Sequence, residues 1–367
     1  MDDFDVLIVG GGPAGSTCAW RLGRLGLRVA LVDAKQFPRD KVCAGWITPQ
    51  ILAELEIDPA DYAAGGRVIQ PIRGFEVSLA GGKSARVTYP EAVSWGILRC
   101  EFDAFLLERC GARLVLGEPL RGLSRIAGDW TANGRLRARV LVGAGGHFCP
   151  VARQLGGDAR DSEPVIAAQE VEFHLDPEQA RACPVSPEIP ELFFERDLRG
   201  YAWLVRKGPV LNVGIGRQDT HDLSGHAAEF LARCESLGKL PPRMPPRRHG
   251  HAYVLYGQTR RPLAGDRFVL IGDSAGLAWP QSGEGIRPAV ESGLLAAEAI
   301  AAKDLASYSR AMEERFGARA GRTGPGLSDF VPRAIRPWVA EKLLARRAFA
   351  RRVVVDGWFL HRDQEPV

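Results

Sequence analysis

The 367-residue chain has no C-x-x-C pair, no internal repeat, no basic cluster interleaved with aromatic residues, and no apolar run near the roughly 18 residues that a spanning helix needs. Each absence removes a class of protein. The seven cysteines (18, 43, 100, 110, 149, 183 and 234) are odd in number and lack metal-ligand spacing, so they point to neither a zinc site nor a disulfide framework. No metal is expected, and a reducing cytoplasm fits. Asp2, Asp3 and Asp5 stand where a secretory leader would be basic, so the expected location is cytoplasmic, with peripheral contact to a membrane as the variant. The formal net charge of +4 is too small to argue for nucleic acid as a partner. What remains is an ordinary globular balance, with enough apolar residues for one large or two interleaved domains.

The most informative stretch is Asp5-Val6-Leu7-Ile8-Val9-Gly10-Gly11-Gly12-Pro13-Ala14-Gly15. An apolar run of strand length ends at Gly10, and Gly10, Gly12 and Gly15 follow the G-x-G-x-x-G spacing of a tight turn that lets a pyrophosphate approach the backbone. The helix that follows presents free amide N–H groups to the phosphates. A second strand, Arg28 to Asp33, ends in an acid 23 positions after Gly10, suited to a ribose 2′-OH.

A second signal lies far along the chain. The run Arg267 to Asp273 reads as a buried strand ending in an acid, followed by Gly276, Gly283-Glu284-Gly285-Ile286 and a helix to about Ala302. Two such sites imply one long ligand with a polar chain between a pyrophosphate and a reactive ring, and FAD fits. Asp273 would hold a ribityl hydroxyl, and the amides near Gly285 and Ile286 would stabilise negative charge on the reduced ring. Between the two signals, short alternating runs at 70–98 and from about Val165 to Tyr256 predict antiparallel strands, while Leu240 to His251 reads as a Pro- and Arg-rich loop.

With these features the chain resembles the geranylgeranyl reductase family of FAD-dependent oxidoreductases, within the flavoproteins that share the p-hydroxybenzoate hydroxylase fold. The resemblance spans roughly residues 4 to 302 and rests on Gly10 to Gly15, Asp33, Lys41-Val42-Cys43-Ala44-Gly45, Arg99 with Asp103, Tyr201-Ala202-Trp203, Asn212 to Gly216, and Gly272 to Ile286. It implies that Ala14, Asp33, Ala44, Arg99, Asp273, Gly285 and Ile286 contact FAD, with Gly10, Gly12, Pro13 and Gly15 forming the turn, and that Cys43 lies near the flavin ring. Gly145 stands where related hydroxylases carry the acid of an Asp-Gly pair, and Leu204-Val205-Arg206 replaces the Phe-Pro end of the reductase Tyr-x-Trp-x-Phe-Pro stretch.

The expected fold is α/β: a Rossmann-like FAD-binding domain (1–70, 99–160 and 263–320), an interleaved antiparallel β-sheet substrate domain (71–98 and 161–262), and a C-terminal helical segment (321–367). The expected activity is FAD-dependent reduction of C=C bonds in a small apolar, prenyl-like substrate, with NAD(P)H or an electron-carrier protein as reductant. The alternatives are a flavin monooxygenase acting on an aromatic or polyketide-like compound, and a non-catalytic electron-transfer flavoprotein. Cys43 either tunes the flavin or supplies a proton, or packs as a small hydrophobe. Trp46, Tyr201, Trp203 and Trp279 either wall a substrate cavity or belong to the core. Arg99 either meets phosphate or ribose oxygens or stays at the surface. His249 and His251 read as solvated loop residues. Residues 331–352, with seven Lys and Arg against Glu341, either pack a charged face on the chain or lie on an anionic membrane.

Overall fold

Val6, Leu7 and Ile8 are fully buried, as befits a central strand of a parallel sheet covered on both faces. Strand Asp2–Val9 runs parallel to Leu136–Gly143 on one side and Val29–Asp33 on the other. Arg113–Leu116 extends the sheet beyond Val29–Asp33, and Phe268–Leu270 then Ala264–Gly265 extend it beyond Leu136–Gly143. A hairpin, Leu123–Ile126 and Asp129–Ala132, joins through Leu136–Gly143. The computed structural model describes residues 2–156, 163–218, 221–317 and 335–367, so the expected boundaries at 160/161 and 320/321, and Val331 and Arg333, lie outside the described residues.

Helices Pro13–Arg24 and Ile286–Ala301 cross closely on this sheet. A Cβ at Gly293 would sit 2.6 Å from the Ala14 carbonyl oxygen, so glycine at that position is what permits the approach. The crossing joins the two glycine signals, which lie more than 250 residues apart in the chain.

The second sheet has seven strands, in the order His249–Val254, Val165–His174, Val210–Arg217, Gly200–Lys207, Glu191–Phe194, Gly74–Leu79 and Ser84–Thr88. All neighbours are antiparallel except Glu191–Phe194 with Gly74–Leu79. Trp46–Ile47, Ser94–Ile97 and Ile69–Ile72 form a small antiparallel sheet.

Three expectations are corrected. The loop read over Leu240 to His251 ends at Arg248, because His249, His251 and Tyr253 alternate with Gly250, Ala252 and Val254 at strand period and pair with Val165–His174. The strand read over Arg267 to Asp273 is extended only at Phe268–Leu270. Gly272–Ser274 is a 3₁₀ turn with Gly272 at φ +58°, which brings that residue against Ala14. The C-terminal part is not helical to its end: after Arg336–Leu344, Arg347–Phe349 and the π-helical Ala350–Phe359, the carbonyls of His361, Gln364 and Glu365 accept from the buried Arg287 instead of continuing a helix. Leu344, Ala350, Val354, Val355 and Phe359 pack with Trp46, Phe75 and Trp203 on the large sheet. Among the described residues no helix is long and apolar enough to cross a membrane.

Candidate active site

A cavity of about 660 Å³ lies where the two large sheets and the helix crossing meet. At one end it is lined by Gly10, Gly12, Pro13, Ala14 and Asp33. Gly10 has φ +116°, and a Cβ there would lie 2.3 Å from the Ala144 carbonyl oxygen. Gly15 does not line the cavity; a Cβ on it would meet the Gly10 carbonyl oxygen at 1.9 Å, so it lets the helix start against the turn. Gly12 caps the helix without a side-chain hydrogen bond, leaving first-turn amides available to an anion. The Asp33 carboxylate accepts from the Gly11 amide (2.7 Å) and the Lys35 amide (2.8 Å), which fixes it at the cavity edge.

The second glycine signal closes over the same space. Gly272, Asp273, Gly285 and Ile286 all line it, and a Cβ at Gly285 would lie 3.4 Å from Asp273 Oδ1. Gly285 begins helix Ile286–Ala301, again without a side-chain cap, and Glu284 Oε1 accepts from the Arg287 amide (2.7 Å). Burial pushes the Glu284 carboxyl up to about 7 despite Arg287. The uncapped start of Pro13–Arg24 and the side-chain-free glycines of both signals fit an extended dinucleotide.

Arg99 is buried, not at the surface. Its guanidinium donates twice to Asp103 (2.9 Å each), Arg39 approaches the same carboxylate at 3.2 Å, and the Cys43 thiol lies nearby. Two cations on one carboxylate leave a net positive charge, and both arginines line the cavity.

Sequence reasoning missed a charged group at the centre. Lys41 Nζ lies 2.5 Å from His251 Nε2, and that nitrogen lies 3.5 Å from Asp273 Oδ2. His251 was expected in a solvated loop; instead its strand turns it into the cavity, while His249 two residues earlier is exposed. The alternation through Tyr253 is the signal that could have found it. Burial lowers Lys41 to about 8 against the pull of Asp273, and burial also lowers His251. Burial opposes ionisation of Asp273, but its bond to His251 and the nearness of Lys41 and Arg99 hold it at about 2. One ring nitrogen cannot accept from an ammonium and donate to a carboxylate at once, so with Lys41 charged His251 Nε2 accepts from it and does not donate to Asp273.

At the other end, Cys43, Ala44, Trp46, Tyr201 and Trp203 line the space. Tyr201 donates to the Ser282 carbonyl (2.5 Å), and Trp203 Nε1 donates to Asn212 Oδ1 (2.6 Å). The Trp46 indole N–H is buried without a hydrogen-bond partner, and its ring packs on Phe75 and Phe359. Trp279 does not belong to this wall. It stacks on His361 at 4.3 Å and packs on Phe316 at 5.1 Å, within the core beneath the first sheet, because its short loop turns the ring toward the C-terminal segment.

Comparison with known proteins agrees with this architecture. A family model described as FAD dependent oxidoreductase matches residues 5–89. Menaquinone reductase of Mycobacterium tuberculosis is 29% identical, over 86% of this chain and 81% of the relative. Geranylgeranyl diphosphate reductase of Rhodobacter capsulatus is 29% identical, over 82% of this chain and 75% of the relative. A geranylgeranyl bacteriochlorophyll reductase-like protein from Thermoplasma acidophilum shares the fold with a TM-score of 0.74 at 22% identity, over 94% of this chain and 90% of that one. The chain is an FAD-dependent oxidoreductase. Geranylgeranyl reductases are among the proteins it resembles, as its motifs indicated, and the α/β fold with an interleaved antiparallel sheet is as expected.

Proposed function

We propose that this oxidoreductase reduces C=C bonds of an apolar, prenyl-like substrate. The observation that carries the reading is a single cavity lined at one end by an uncapped dinucleotide turn and at the other by Trp46, Tyr201 and Trp203. Relatives named for menaquinone, geranylgeranyl diphosphate and digeranylgeranylglycerophospholipid support it, since all three compounds carry isoprenoid chains.

In this reading Gly10, Gly12, Pro13 and Ala14 receive the pyrophosphate of FAD, Asp33 the adenosine ribose, Asp273 the ribityl chain, and Ala44, Gly285 and Ile286 the ring, with Arg99 and Arg39 adding positive charge. Bound FAD supplies the hydride chemistry. The aromatic wall orients an apolar chain and excludes water. Lys41 and His251 hold a proton that can be given up near neutral pH, because burial has lowered both groups. NAD(P)H or a small electron carrier acts as the reductant, from the cytoplasm. The exposed Trp338 and the basic residues around it give the C-terminal segment an anionic-membrane contact through which a lipid substrate is reached.

The test is anaerobic. FAD-loaded protein is reduced with dithionite and mixed with geranylgeranyl diphosphate, a menaquinone, or an aromatic acid, and flavin reoxidation and product mass are followed together. A gain of two hydrogens located on the isoprenoid chain, and not on a quinone ring, is expected. In a parallel aerobic arm with the same compounds, an oxygen-dependent product with one added oxygen on the aromatic compound would overturn the reading.

A further inference from the structure

The Cys43–Gly45 segment forms part of the cavity wall, yet it belongs to no long element that would hold it. Its position comes from side chains of the large sheet. The Cys43 amide donates to Glu170 Oε2 (2.9 Å), and the Cys43 carbonyl accepts from Asn212 Nδ2 (3.1 Å). Asn212 is fully buried; its Nδ2 also lies 3.2 Å from Glu170 Oε2 and 2.8 Å from Glu172 Oε2, and its Oδ1 accepts from Trp203. Glu172 in turn pairs with the fully buried Lys207. Glu170 and Asn212 do not line the cavity themselves.

We propose that Glu170 and Asn212 are positioning residues that set where the Cys43–Gly45 wall stands, and that the protonation of Glu170 adjusts that position. One amide nitrogen with two hydrogens faces three acceptors, two of them carboxylates, and the one cation paired here, Lys207, meets Glu172 and not Glu170. That arrangement favours one proton on the carboxylate pair, as for other adjacent acids. Burial and the neighbouring Glu172 push Glu170 up to about 7, against Lys207 and the two hydrogen bonds it accepts. Ionised Glu170 accepts from both Cys43 and Asn212. A proton on Oε2, the oxygen both donors share, places an O–H among acceptors and weakens the bond from the Cys43 amide. The other titratable and charged groups near this network are His249, paired across from Glu170 on the neighbouring strand and exposed, Cys100, within electrostatic reach of Glu172, and Arg99 near the Cys43 thiol, itself bound to Asp103.

Hydrogen exchange at the Cys43 amide in FAD-loaded protein tests this directly, by mass spectrometry of fragments spanning residues 41–46 and normalised for the intrinsic pH dependence of exchange. Wild-type protection is expected to fall about tenfold or more from pH 8 to pH 6. Glu170→Gln keeps the shape and neutral form of the side chain, so it should fold and show protection independent of pH. Asn212→Leu should lower protection at both pH values and speed Cys43 alkylation by iodoacetamide about tenfold or more, and Asn212→Asp should fall between. Superimposable pH profiles for wild type and Glu170→Gln, or alkylation in Asn212→Leu within twofold of wild type, would overturn the proposal. Neither readout uses substrate, so failure here leaves the C=C reductase reading standing, and failure of that reading leaves this one.

Discussion

The two ends of the cavity are built by different means. At the dinucleotide end the chemistry belongs to the backbone: Gly10 and Gly12 supply shape, uncapped amides supply donors, and Asp33 is fixed by the amides of Gly11 and Lys35 within the same local unit. At the centre and the other end it belongs to side chains from separate parts of the chain, Lys41, Arg99, His251 and Asp273 in the charged group and Trp46, Tyr201 and Trp203 in the wall, which only the assembled fold brings together. A backbone site tolerates no added atoms, whereas a side-chain site tolerates single changes and responds in charge and affinity instead.

The largest effect should come from the backbone end. Gly15→Val would drive a branched side chain into the Gly10 carbonyl, which a Cβ alone would already meet at 1.9 Å. That cost is at or above the roughly 3 kcal/mol upper end of ordinary overpacking, so the variant should purify without flavin and melt earlier. A yellow, equally stable Gly15→Val protein would break the comparison.

Asp273→Ala tests the junction between the ends. Losing a hydrogen bond to a charged group should weaken FAD binding by about 1–3 kcal/mol, roughly fivefold to 150-fold, as read by flavin fluorescence on titrating apoprotein. Unchanged affinity would remove Asp273 from the cofactor's partners.

The charged group should then show itself in the pH dependence of apoprotein stability. Lys41 sits at about 8 when folded against an ordinary 10.5, so between those values the unfolded chain holds more protons and stability rises with pH. Asp273 is depressed to about 2, so its contribution is present above about 4 and fades as pH falls toward 2. Urea midpoints across pH should lose the alkaline rise in Lys41→Met and the acid loss in Asp273→Asn. Parallel curves for wild type and Lys41→Met would show that Lys41 is not held in this environment.

The smallest effects separate wall from core. Trp279→Phe should cost about 1 kcal/mol of stability and leave FAD affinity unchanged, because its ring packs on His361 and Phe316 outside the cavity. Cys43→Ser should retain FAD and leave single-turnover reduction within a few fold of wild type. A fall of about 100-fold with FAD retained would instead make the thiol a proton donor.

Local sequence determined the strand, turn, helix and acid over residues 5–33 and the second glycine signal at 272–286, because steric demands on the backbone are written in adjacent glycines. The resemblance carried by those motifs also named the oxidoreductase class. The sequence left His251 in a loop and Trp279 undecided between substrate wall and core, since strand pairing and ring packing depend on partners that local pattern does not contain. Only the tertiary structure brought Lys41, His251 and Asp273 to one point and set Glu170 and Asn212 behind Cys43. The physical reason is the range of the forces involved. A glycine turn is decided by contacts within a few residues or against one neighbouring strand, whereas a buried charge or amide takes its partners and its proton affinity from whatever the completed fold places around it.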